Sequence, residues 1–359
     1  MADFRQGRLA ALRTAFSGGA DAFLVTTLQN VFYLTGFTGS SGFVLVTANK
    51  AFFMTDSRYQ TQSADEVQGY EIVIQKGRWT DEIAKLVLDA GGGKLGFESR
   101  NLTIETHSAL SKGLEGVELV PFKDAVERLR AIKDESEIKK ISEAIRRAED
   151  GFRENISRVS PGMTEMETAL GLEFNIRSYG ARKMPFDVIV ASGYRGALPH
   201  GIASDKRMKE GETLVIDFGG EAFGYQSDLT RSGVLGEPDR KQKEIYDIVA
   251  EAQSRAIEKV KPGVSCKEVD EAARGYIASK GYGDYFGHGL GHGVGIDVHE
   301  APSVSYMSED TLQAGMVITI EPGIYIPDWG GFRIEDMLLV TEDGYKVMTS
   351  LSKDIEFRQ

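Results

Sequence analysis

The last two thirds of this chain carry one pattern twice, and that duplication restricts the fold more than any other feature of the sequence. Residues 156–167 read ISRVSPGMTEME and residues 257–268 read IEKVKPGVSCKE. Ile156/Ile257, Val159/Val260, Pro161/Pro262, Gly162/Gly263, Thr164/Ser265 and Glu167/Glu268 coincide at a single offset of 101 residues. Each copy reads as a helix end, a Pro-Gly turn and a second helix opened by a capping box. In that box the hydroxyl accepts the amide three residues on, and the Glu reaches back. The match continues at drifting offsets. ALPHG (197–201) pairs with IDVHE (296–300), setting His200 against His299. GETLVIDFG (211–219) pairs with GMVITIEPG (315–323), setting Asp217 against Glu321, and Asp228 in YQSDLTR answers Glu335 in FRIEDM. Each copy therefore runs helix, turn, helix, histidine, and two strands that each bear an acid. Duplication predicts two α/β halves facing each other about a pseudo-two-fold axis.

The first third reads differently. Phe4, Leu9, Leu12 and Phe16 have helical spacing, and residues 80–90 (TDEIAKLVLDA) read as a helix closed by three glycines. AFLV (22–25), VFYL (31–34), GFVLV (42–46), AFFMT (51–55), KLGFES (94–99) and VELVPF (117–122) read as strands. TDSRY (55–59) reads as an exposed turn. This alternation predicts an α/β sandwich. Residues 126–149 read as one charged helix with Ile132, Ile138, Ile141 and Ile145 as its apolar stripe. The chain of 359 residues is thus expected to divide into domains 1–125 and 126–359.

Charge and cysteine usage remove several function classes. The formal net charge of −12 has the wrong sign for a general binder of nucleic acid or anionic membrane. Cys266 is the single cysteine, so no intrachain disulfide framework exists and a reducing compartment is expected. No apolar run has the length of a spanning helix, and the N-terminus has no secretory pattern. The expectation is a cytoplasmic protein.

The acids occupy costly positions. Asp217 ends the apolar run Leu214-Val215-Ile216, and Glu321 ends Val317-Ile318-Thr319-Ile320. Asp228 and Glu335 begin the return strands, so each hairpin is expected to set an acid opposite an acid. A lone buried carboxylate costs several kcal/mol, and like charges across a ladder add to that cost. A multivalent cation is the natural compensator. Of the five histidines (His107, His200, His288, His292, His299), three fall within HGLGHGVGIDVHE, residues 288–300. Four carboxylates and one or two imidazoles form a hard, oxygen-dominated ligand set suited to Mn²⁺ or a similar ion. Acids shared between two ions give a dinuclear centre that supplies hydroxide and polarises a carbonyl, leaving the remaining histidines to donate protons. The residues alone point to a two-metal hydrolase of an acyl or phosphoryl bond.

HGLGHGVGIDVHE, VIDFG (215–219), YQSDLTR (225–231), ITIEPGIY (318–325) and RIED (333–336) together resemble the Xaa-Pro peptidases, aminopeptidase P and prolidase, of the pita-bread metallopeptidase family. NVFYLTGFTGSSG (30–42) and TDSRY resemble the creatinase/prolidase N-terminal domain. The resemblance implies an α/β N-terminal domain followed by a pita-bread catalytic domain. It implies that Asp217 binds one metal, that His292 and Glu321 bind the other, and that Asp228 and Glu335 bridge both. It makes His200, His299 and Glu321 catalytic, with Glu321 shuttling a proton. His288, Arg333 and Tyr325 are then substrate contacts. It further implies Mn²⁺, with Co²⁺ or Zn²⁺ compatible, a homodimer, and a peptide substrate with proline at its second position.

Three other readings share the architecture. A methionine-aminopeptidase-like enzyme would use the same ligands on broader substrates. A metal-free amidinohydrolase and a non-enzymatic binding module would lack them.

Overall fold

A computed structural model describes residues 4–357. The chain divides into two units, Met1–Arg130 and Ala131–Gln359. Among the described residues no helix is long and apolar enough to cross a membrane.

The first unit is built on a six-stranded mixed sheet. Its strands are ordered Glu71–Ile74, Ala51–Thr55, Phe43–Thr47, Ala22–Val25, Lys94–Glu98, Glu118–Phe122. The strand Ala22–Val25 is buried at every position and pairs antiparallel on one side and parallel on the other. VFYL is not a strand. It lies inside the helix Leu28–Thr35, where Val31, Leu34 and Thr35 form one buried face and Gly36, at φ +81°, ends the helix. A run of four apolar residues fits either period, and the buried face with its stop decides. At the entry of that helix Glu98 accepts the amides of Thr26 and Thr27, each at 2.7 Å, so a carboxylate faces the positive end of the helix. Of TDSRY, Thr55 is buried at the end of a strand and residues 56–59 form a partly exposed turn in which Arg58 donates to Asp56 at 2.8 Å.

The stretch expected to be one helix over 126–149 is two, Glu127–Ala131 and Glu135–Ile156. Asp134 interrupts it with a complete capping box to Glu137. Ile132 therefore leaves the apolar stripe and is part-exposed, whereas Ile141 and Ile145 remain buried. Glu127 and Arg130 are held within the first unit through Asn30, at 2.7 and 2.9 Å.

The second unit holds the two related halves. The first comprises α1 (Glu135–Ile156), α2 (Glu165–Ser178), β1 (Ile189–Ser192), β2 (Thr213–Phe218) and β3 (Leu229–Leu235). The second comprises α3 (Arg240–Ile257), α4 (Cys266–Ser279), β4 (Gly291–Gly293), β5 (Glu300–Val304), β6 (Val317–Ile320), β7 (Gly323–Ile326), β8 (Gly330–Arg333) and β9 (Asp336–Val340). Each helix pair covers its own sheet with its own core. Phe152, Leu172 and Ile176 pack with Ile216, Phe218 and Leu229 in one half, and Ile245, Val249 and Val269 pack with Ile318 and Leu338 in the other.

The duplication persists at atomic detail in the helix entries. The Gly162 amide donates to Met208 O at 2.8 Å, and the Gly263 amide to Leu312 O at 2.9 Å. Both glycines have positive φ, +95° and +85°. Thr164 and Glu167 close a full capping box, whereas in the second copy only the Ser265 side forms, accepting the Glu268 amide at 3.2 Å.

The hairpins are not equivalent in register. In the second, the ladder breaks after Ile320–Asp336 and resumes at Gly323–Arg333, which leaves Glu321 facing Glu335 in the gap. In the first, Asp217 faces Thr230 and Asp228 lies two residues away on the same strand edge. Asp217 and Asp228 are therefore diagonal neighbours on one face rather than an opposed pair.

Candidate metal centre

The acids sit at the strand tips where the two halves meet. Asp217 is near the end of β2, Asp228 immediately precedes β3, Glu321 follows β6 and Glu335 precedes β9. β3 runs beside the 333–335 segment: the Glu335 amide donates to Thr230 O at 3.1 Å, and the Arg333 amide to Ser232 Oγ at 3.0 Å. One half thus delivers its acids directly against those of the other.

His292 comes from β4, squeezed between β5 and β6. A Cβ on Gly291 would lie 2.1 Å from Thr319 O, and one on Gly293 would lie 2.1 Å from Ala301 O. Only glycine at both flanks lets this strand enter and carry the imidazole inward. His292 Nε2 is 3.3 Å from Glu321 Oε1 and 3.5 Å from Asp228 Oδ2.

Three overlapping groups offer ligand atoms within 4.8 Å of one another: Asp217, Asp228 and Glu335; His292, Glu321 and Glu335; and Asp228, His292 and His299. Asp228, His292 and Glu335 each belong to two groups, and of these only the two carboxylates have two oxygens with which to serve two ions. The hydrogen bonding leaves room for cations. Thr230 Oγ1 donates to Glu335 Oε2 at 2.7 Å and Arg333 Nη2 to Asp217 Oδ2 at 2.7 Å, while the buried Glu335 Oε1 and Asp217 Oδ1 meet no donor among the described residues. A buried carboxylate oxygen without a donor is costly, and a divalent ion is a suitable partner for it. The oxygen-rich set with one imidazole fits a hard divalent ion.

Burial pushes Asp228 and Glu335 well above the usual carboxylate range, and the neighbouring acids push in the same direction. Asp217 is also raised by burial, against the opposing pull of Arg333. Burial would raise Glu321 too, but the hydrogen bond and charge of His292 prevail and lower it. Burial alone would lower His292, but the hydrogen bond and charge of Glu321, with Gly293 O and Asp217, together raise it. So much repulsion in so small a volume is what two positive ions would relieve.

Further out lies a second layer. Tyr325 Oη meets His288 Nε2 at 2.9 Å and accepts from Arg333 Nη1 at 3.0 Å. Arg333 also donates from Nε to Thr230 Oγ1 at 3.0 Å and from Nη1 to Pro199 O at 2.9 Å. The guanidinium is buried, and each of its nitrogens donates to a protein group, Nη2 to Asp217. His299 and His200 are exposed at the rim, with the His299 ring centroid 4.2 Å from that of His292. Burial and the adjoining imidazoles lower the His299 pKa. His107 packs against Phe97 in the first unit. Thr230 and Thr319, which donates to Glu321 Oε1 at 3.2 Å, were not singled out from sequence. Their signal was a hydroxyl at a buried position beside an acid in each strand.

Residues 139–342 match the family model of metallopeptidase family M24, and residues 8–132 match that of the Creatinase/Prolidase N-terminal domain. The chain belongs to metallopeptidase family M24. Its fold is the creatinase-type N-terminal unit joined to the pita-bread unit of that family. An Xaa-Pro dipeptidase of Pyrococcus horikoshii is 43% identical over 93% of this chain and 94% of its own length. Among solved structures, an Xaa-Pro dipeptidase from Bacillus anthracis superposes with a TM-score of 0.96 at 44% identity, covering 98% of this chain and 99% of its own. An X-Pro aminopeptidase from Thermotoga maritima superposes at 0.89 and 39% identity, covering 94% and 97%. As an M24 metallopeptidase the chain is a hydrolase that works with divalent metal.

Proposed function

We propose that this M24 enzyme hydrolyses the peptide bond between an N-terminal residue and a following proline. The observation that carries this reading is the meeting of Asp217, Asp228, His292, Glu321 and Glu335 at one point of a chain 43% identical to an Xaa-Pro dipeptidase. We assign these five residues to two divalent ions, Mn²⁺ by preference for a hard donor set, with Glu335 and Asp228 shared. When bound, the paired ions supply hydroxide at neutral pH and polarise the scissile carbonyl.

The chain's own residues do the rest. Thr319 donates to Glu321 Oε1 at 3.2 Å, and Glu321 is the carboxylate we assign to accept a proton and return it to the departing nitrogen. That nitrogen belongs to a tertiary amide without N–H, so selectivity has to come from the carbonyl and the ring rather than from gripping an amide. His299, kept neutral by its surroundings, is placed to donate a ring N–H to the carbonyl oxygen, and His200 stands at the same rim. Arg333 and Tyr325 fix Asp217 and His288, and His288 lines the leaving side. The unit Ala131–Gln359 holds all of these groups. A single buried cysteine and an acidic surface suit the cytoplasm. A homodimer is part of the same proposal and is read by light scattering.

The test is a substrate panel on the purified Mn²⁺-loaded enzyme: Xaa-Pro dipeptides, Xaa-Pro-Yaa tripeptides and Met-Ala peptides. Cleavage of Ala-Pro or Met-Pro without cleavage of Met-Ala is expected. Equal turnover of Met-Ala would favour the methionine-aminopeptidase-like alternative. The ratio of dipeptide to tripeptide rates separates the dipeptidase and aminopeptidase forms.

A further inference from the structure

Gln253 lies on the buried face of α3, among Ile245, Val249, Ala252 and Ala256. Its amide uses every hydrogen-bonding group. Nε2 donates to Ile320 O at 3.0 Å and to Ile334 O at 3.1 Å, and Oε1 accepts from Lys353 Nζ at 2.7 Å. Those two carbonyls belong to the peptide units that lead directly into Glu321 and Glu335. The same units are tied on their other side: the Glu321 amide donates to Leu290 O at 2.8 Å and the Glu335 amide to Thr230 O at 3.1 Å. The ladder of this hairpin is interrupted between Ile320–Asp336 and Gly323–Arg333, where it resumes in the same register, and the side chain of Gln253 ties the two strands together at that interruption.

The other half of the duplication serves as an internal control. The residue at the same place in α1, offset by 101, is Phe152, whose ring stacks on Phe218 with centroids 4.8 Å apart. Helix and sheet therefore pack with an aromatic ring there, and the fold does not require a buried amide. In that half the ladder itself joins the acids, since Phe218 pairs with Leu229 between Asp217 and Asp228. The amide occurs where two acids face each other in the gap of an interrupted ladder.

We propose that Gln253 is a positioning residue for the metal centre, setting the separation of Glu321 and Glu335 so that both carboxylates reach a shared ion. This inference rests on the metal-centre reading above. Such indirect supports typically alter metal affinity or activity by about 10–100-fold.

The test uses the full-length chain and Mn²⁺ alone, without peptide. Mn²⁺ affinity is measured by competition with a fluorescent chelator for the wild type, Gln253→Leu and Gln253→Asn, and thermal unfolding is followed in excess chelator. A fall in affinity of about tenfold or more is expected in both variants. The shorter amide of Gln253→Asn reaches at most one carbonyl, and this variant decides the matter if Gln253→Leu does not fold. Affinity within twofold of the wild type in a folded variant overturns the inference, even if the metal-free protein is less stable, because Gln253 is then a packing group only. Failure of the wild-type chain to take up Mn²⁺ would overturn the metal-centre reading and this inference with it, a result distinct from uptake that the variants leave unchanged.

Discussion

Arg333 donates to Asp217 Oδ2 at 2.7 Å and leaves Asp217 Oδ1 facing no donor among the described residues. One oxygen is held by the protein and the other is presented to whatever fills the centre. The planar guanidinium does this while also binding Thr230, Tyr325 and Pro199. A lysine ammonium cannot reproduce that fork. Arg333→Lys is expected to lower metal affinity or kcat/KM about 10–100-fold with little change in the fold. Metal content and kinetics measured on one preparation, with circular dichroism as the control, check this.

Asp228, His292 and Glu335 each belong to two of the ligand groups, whereas His299 belongs to one and lies at the exposed rim. Glu335→Ala and Asp228→Ala should lose bound metal and activity together. His299→Ala should retain the metal and lower kcat by about 10²–10⁴-fold, the usual range for a lost proton donor. Elemental analysis beside steady-state kinetics separates the two classes, and a full-rate Glu335→Ala enzyme would remove Glu335 from the centre.

Proton release should accompany metal uptake. Without a cation, burial and mutual repulsion raise Asp228 and Glu335, so both hold protons above the pH at which an ordinary carboxyl would lose them. A divalent ion binds the ionised forms and expels those protons. Metal and proton then compete, so affinity must rise with pH and weaken as pH falls toward the raised values. Titration of Mn²⁺ into weakly buffered protein with a pH indicator reads the protons directly. Affinity that is independent of pH would contradict the arrangement.

Lys133 and Glu300 form a buried pair, Nζ to Oε1 2.7 Å, on the segment that leads out of the His299 loop. Removing one charge from such a pair costs about 3–5 kcal/mol because the other is left uncompensated. Lys133→Met is expected to destabilise the protein by that amount in urea unfolding, and Lys133→Met/Glu300→Gln by less.

What the sequence made legible was local or repeated. Capping residues, Pro-Gly turns and acids after apolar runs sit within a few residues of one another, and their second appearance separated them from coincidence. VFYL failed because four apolar residues carry no period, and Gly36 was the only nearby stop. The stretch 126–149 is two helices because Asp134 caps the second, and a capping acid inside a run of charged residues has no distinct signal. The opposed acids of the first hairpin failed because register depends on the loop between the strands, and the two loops differ in length. The roles of Arg333 and Gln253 depend on partners 116 and 81 residues away, where no spacing rule reaches.

The capping boxes differ between the copies, the helix entries bear Glu165 in one and Cys266 in the other, and α1 carries Phe152 where α3 carries Gln253. Two identical protomers could bring matching strand tips together, but each change in one would be imposed on its twin. Joining the copies in a single polypeptide breaks that bond. One lobe is free to keep an aromatic interior while the other acquires an amide, so asymmetry around the centre becomes heritable even though the scaffold that encloses it stays symmetric.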